Sequence, residues 1–121
     1  HLAYAWLAVA CLGMALWHFG APLNPSLAVH ALTIGAMGGL ILAMIARVSL
    51  GHTGRPLQPP TGMTLAFVLL NLACISRVAL VLLWPLAALW LAGLCWTLGL
   101  GLYLWRYGPM LWQARVDGHP G

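Results

Sequence analysis

His30-Ala-Leu-Thr-Ile-Gly-Ala-Met-Gly-Gly39, running on through Arg47 to Leu50-Gly-His-Thr-Gly-Arg-Pro56, decides how the rest of the chain is read. From Ser26 to Leu50 the sequence stays apolar for a membrane crossing, which takes about 20 helical residues for ~30 Å of hydrocarbon. A histidine stands near one end of that crossing, small residues recur along it, and Arg47, His52 and Arg55 gather at its far end. Ionisable side chains are costly to place in or beside hydrocarbon, so they mark function more often than they do in water.

Working outward, composition sets the class. Of 121 residues, 63% are hydrophobic and 5% charged, with a mean hydropathy of +0.95, more apolar surface than a water-soluble domain hides. Asp117 is the single acidic residue, which excludes carboxylate-pair catalysis, Ser-His-Asp triads and carboxylate-rich metal sites within this chain. The net charge of +4 comes from five arginines and no lysine. They are scattered at helix ends and in loops, which fits membrane orientation and not nucleic-acid binding. The first residue is His1, with no basic segment ahead of an apolar run, so the start is not read as a signal peptide and the chain is expected to be part of a longer one.

Four spans are expected, over about residues 2–19, 26–50, 63–83 and 85–106, forming an all-α polytopic transmembrane bundle. None alternates strictly between apolar and polar residues, which argues against a β-barrel. Gly20-Ala-Pro22 and Asn24-Pro25 break the first connection, and Ser26 is available as an N-cap. Gly54, Pro56, Pro59 and Pro60 break the second, and Gly51 is expected to close the second span in the left-handed conformation. Pro85 suits a first helical position, so the last two spans form a tight hairpin. Residues 107–121, with Gly108-Pro109 and Asp117-Gly118-His119-Pro120-Gly121, are expected to be an irregular tail.

If all four spans cross, Arg47, Arg55, Arg106 and Arg115 fall on one side, and the loops of the other side carry no arginine. The positive-inside rule makes the arginine side, with both ends of the chain, cytoplasmic. Trp17 and Trp84 then mark the outer interface, and Trp6, Trp105 and Trp112 the inner one. Ala31, Gly35, Gly39 and Ala43 recur every four positions, and Gly35 to Gly39 is a GxxxG pattern that lets helices approach closely in lipid. Gly93, Thr97 and Gly101 offer a counterpart stripe on the fourth span. Bare glycine backbone also suits a flat macrocycle.

At 100° per residue His30 shares a face with Ile34, Met37, Ile41 and Met44, away from the glycine stripe. His18, His30 and Arg77 come to similar depth at the outer side. Imidazole is an axial ligand for haem iron, and arginine suits haem propionates; Thr33 is placed to orient the His30 ring. These residues also have plainer roles. A histidine one turn inside a span can bond a carbonyl or water, and Arg77 can snorkel to the surface. Met37 and Met44 are either soft Cu(I) ligands or core filler. His52 either caps helix carbonyls or meets a ligand, and Arg47 with Arg55 suits an anion or lipid headgroup. Cys11, Cys74 and Cys95 lie inside spans without CxxC or CxxCH spacing, which excludes c-type haem attachment. Asn71, near mid-membrane, suits an interhelical hydrogen bond.

The segment from His30 to Pro56, with its small residues, Arg47 and Leu50-Gly-His-Thr-Gly-Arg55, resembles the NnrS family of polytopic membrane proteins. Tyr107-Gly-Pro109 through Arg115-Val-Asp-Gly-His-Pro-Gly121 is similar to that family's C-terminus, although His119 stands where arginine is expected and Ala114 where proline is. The resemblance implies the C-terminal portion of a bacterial inner-membrane protein associated with haem, copper and nitric oxide stress or denitrification, whose other helices, or another subunit, are its partners with the lipid bilayer. His30 and His52 carry over as motif matches, with His18 as a third candidate. The alternative is a transporter or structural bundle without cofactor, its histidines and arginines lining a polar path.

Overall fold

A computed structural model describes residues 1–118; His119, which the tail reading included, lies outside them. Helix α1 spans Leu2–His18, α2 Pro25–His52, α3 Met63–Val78 and α4 Pro85–Leu111. A 3-10 turn at Leu80–Leu82 continues α3 toward the hairpin. Successive helices run antiparallel, and no strand occurs among the described residues. Pro25–His52, Met63–Leu82 and Pro85–Leu111 are long and apolar enough to cross a membrane. At 17 residues, α1 sits at the lower limit for a crossing.

The helix ends follow local chemistry. The Asn24 side chain accepts from the Ser26 amide and Pro25 opens α2, so Asn24, not Ser26, is the N-cap. At the far end the helix runs past Gly51. The Arg55 amide bonds the Leu50 carbonyl at 3.0 Å and the Gly54 amide bonds Gly51 at 3.2 Å, with Gly54 at φ 70°. That is a Schellman closure, and it moves the left-handed cap from Gly51 to Gly54. Helix α4 continues five residues beyond the expected end at Arg106 and carries Pro109 in its last turns. Proline is tolerated in membrane helices because neighbouring groups and local adjustments satisfy the carbonyl that its missing N–H leaves free.

Within α2 the eight residues Ala31–Gly38 form a π-helix, which begins immediately after His30. Its wider turn presents small residues to three neighbours. A Cβ added at Gly35 would collide with Trp6 of α1 and lie 2.8 Å from Cys74 Sγ of α3; at Gly38 it would lie 3.0 Å from the Trp96 ring of α4. Gly39 faces Ala3, where a Cβ would meet its methyl at 3.3 Å. Trp6, expected at the interface, instead packs here and donates its indole N–H to Asn71 Oδ1 at 2.9 Å.

The counterpart stripe on α4 is different from the one expected. Gly93 and Gly101 have open space where a Cβ would stand, whereas at Gly99 a Cβ would lie 2.6 Å from Leu70 Cδ1 and 3.2 Å from the Ala66 carbonyl. Gly99 is two residues from Gly101, so it lies about 200° round the helix, on the face that α3 covers. Leu42, Ala46, Leu50, Met63, Ala66, Leu70, Tyr103 and Tyr107 form the core nearer the arginine-bearing ends. Ala73, Ala92 and Cys95 form a smaller cluster toward the other end. Large apolar side chains cover the outside, among them Trp90, Trp105 and Trp112, a surface suited to lipid. The chain is a membrane protein built as an antiparallel helical bundle.

Candidate functional site

His30 sits where the first α-helical turns of α2 pass into the π-segment. Its Nδ1 lies 2.6 Å from the Ser26 backbone carbonyl and 3.1 Å from Ser26 Oγ. Its Nε2 lies 2.7 Å from Arg77 Nη2 on α3. A carbonyl only accepts and a guanidinium only donates, so the two contacts assign the tautomer. Nδ1 carries the proton, and the Nε2 lone pair faces Arg77. A backbone carbonyl holding Nδ1–H is also the support that orients ligating histidines in metal sites.

The pair separates two hollows. On one side an open-sided cavity of about 380 Å³ is lined by His30, Arg77, Ile34, Gly93, Trp96 and Thr97 among others. On the other, about 170 Å³ opens between Asn24, Ser26, Leu27, Val81 and Leu82. Gly93 therefore contributes bare backbone to the His30 cavity and makes no helix contact there. Ile34 and Trp96 also pack against the smaller core cluster, so one wall of the cavity is anchored in the fold.

The other candidates separate. Thr33 donates to the Val29 carbonyl of its own helix at 2.9 Å, and Ser26, not Thr33, orients the His30 ring. His18 is exposed, bonds the Met14 carbonyl through Nδ1 at 2.9 Å and stacks edge-on to Trp17; it does not line either hollow beside His30. His52 is free of the capping role, which Gly54 fills, and lines a second basin of about 450 Å³ with Arg47, Val48, Gly51, Leu57 and Arg115. Arg55 turns to Gln113 instead, with Nη2 2.9 Å from Oε1. Arg115 takes the place beside Arg47 that was expected of Arg55. It does so as an ion pair with Asp117 at 2.6 Å, whose hydrogen bond holds the guanidinium above its ordinary pKa.

The residues present fit haem and copper differently. For haem, the cavity joins an imidazole whose Nε2 lone pair is taken up by Arg77, that guanidinium, and exposed glycine backbone, donor types that suit a macrocycle once Arg77 releases the ring. For copper, no group of three or more His, Cys, Asp or Glu converges among the described residues. Met37 and Met44, 48% and 59% exposed, point outward on α2.

A family model described as NnrS protein covers residues 1–115. No curated protein and no solved structure matches the chain significantly.

Proposed function

Because this chain belongs to the NnrS family, we propose that it forms the haem-holding C-terminal part of an inner-membrane protein acting in nitric oxide tolerance or denitrification. His30 would hold the iron through Nε2, and Arg77 would pair with a haem propionate. Bound haem would supply an iron centre able to take a small diatomic ligand. The observation that carries the reading is the His30 ring itself. Its Nδ1–H is fixed on the Ser26 carbonyl at 2.6 Å, and its Nε2 lone pair, at the edge of a cavity, accepts from the Arg77 side chain and not from backbone. Loading requires Arg77 to swing from Nε2, a rotamer change open to a long side chain in contact with two hollows.

The arginine-bearing ends lie in the cytoplasm on this reading, since Arg47, Arg55, Arg106 and Arg115 share one end of the bundle and the retained charges set orientation. The His30–Arg77 bond also suits the second reading, a structural or transport bundle in which the two groups satisfy each other.

Haem-to-protein ratio and the visible spectrum of the full-length protein separate the two. His30→Gly should lose most of its haem, and added imidazole should restore the Soret band. Arg77→Gln should lose less, because the iron–nitrogen bond remains. Unchanged haem and an unshifted Soret band in a folded His30→Gly protein remove His30 from the site.

A further inference from the structure

At the opposite end of the bundle the Tyr107 side chain is wholly buried, and its hydroxyl has no hydrogen-bond partner among the described residues. Its neighbour Tyr103, stacked on it with ring centroids 4.8 Å apart, is satisfied by Ser49 Oγ at 2.9 Å. A buried hydroxyl without a partner costs free energy comparable to a lost hydrogen bond, so Tyr107 calls for a partner that the described residues do not provide.

Tyr107 lines a further cavity, of about 290 Å³, whose walls include Ala43, Ala46, Leu50, Leu57, Phe67 and Arg47. Arg47 and Leu57 are shared with the His52 basin. An apolar slot thus leads into a polar mouth, and Arg47 stands at the junction. In the mouth the Arg115 charge is matched by Asp117, which leaves Arg47 as the net positive charge beside the His52 imidazole.

We propose that this composite site holds one acidic phospholipid of the leaflet at the arginine-bearing end. The phosphate sits on Arg47 and His52, a glycerol ester carbonyl accepts from Tyr107, and the start of an acyl chain lies along Ala43, Ala46 and Phe67. The site brings together a cation, a buried hydroxyl and an apolar slot, the three kinds of group that such a lipid would engage at once. A free anion would use only the mouth, and a hydrocarbon chain only the slot. The proposal is independent of haem at His30.

The test uses the full-length protein, delipidated and returned to nanodiscs of phosphatidylcholine with or without phosphatidylglycerol, with inorganic phosphate as a separate arm. Retained lipid is read by native mass spectrometry and stability by thermal unfolding. Phosphatidylglycerol should be retained and should raise the unfolding temperature, and phosphate in phosphatidylcholine discs should not. Arg47→Gln should weaken retention more than tenfold, as expected for a charge-assisted bond, and Tyr107→Phe about fivefold, for one neutral hydrogen bond. In phosphatidylcholine alone, Tyr107→Phe should be at least as stable as the parent, since it removes an unsatisfied hydroxyl. Equal retention of both lipids, equal stabilisation by phosphate alone, or retention indifferent to both substitutions overturns the proposal.

Discussion

At the scale of single residues, the His30–Arg77 pair was half legible. Counting residues from helix ends brings both to one depth, because rise per residue is regular. Their contact depends on how α2 and α3 are rotated about their axes, and no spacing within either segment encodes that. The partner that orients the ring was open to inference and was missed. Helical side chains lean toward the N-terminus and meet position i−4, which is Ser26 for His30 and Val29 for Thr33. The two Ser26 contacts differ in kind, which yields a prediction. Ser26→Ala removes the hydroxyl at 3.1 Å and keeps the carbonyl at 2.6 Å, so the full-length variant should retain more than half of its haem, measured as haem per protein. A loss as complete as that of His30→Gly would show that the hydroxyl, not the carbonyl, sets the ring.

At the scale of elements, the four apolar runs and their breaks could be read directly, since length and hydropathy suffice to find a span. The π-segment could not. Residues 31–38 are all small or apolar apart from Thr33, and nothing in that composition separates an i→i+5 turn from an α-turn. The extended period is why Gly38 as well as Gly35 meets a tryptophan, and why a four-residue stripe captured only part of the contact surface. The glycines of α4 fail for another reason: glycine at a packed face and glycine facing open space look alike in sequence. Substitution tells them apart. Gly35→Ala should destabilise by about 1–3 kcal/mol through overpacking against Trp6 and Cys74. Gly101→Ala, with open space around it, should be neutral or up to about 1 kcal/mol stabilising from helix propensity. Unfolding titrations in mixed micelles measure both, and equal effects at the two positions would contradict the assigned packing faces.

At the scale of the whole molecule, charge asymmetry was the clearest signal, because the positive-inside rule needs only a count of arginines per side. Reporter fusions placed after Pro22 and after Gly54 of the full-length protein should give opposite compartments, with the Gly54 fusion cytoplasmic. A shared compartment would mean that α2 does not cross. Less visible beforehand was how residues 112–118 return to the loop after α2. The Val116 amide bonds the Thr53 carbonyl at 3.2 Å, Arg55 bonds Gln113, and the Asp117 carboxyl lies where a Gly54 Cβ would be, within 2.6–2.8 Å. These contacts close residues 53 to 116 into a ring without a covalent link, and the ring distributes mechanical load unequally. Tension applied at His1 reaches α1, which lies outside the ring and rests chiefly on α2. Tension applied at the tail has to open the clasp before it can draw on α4.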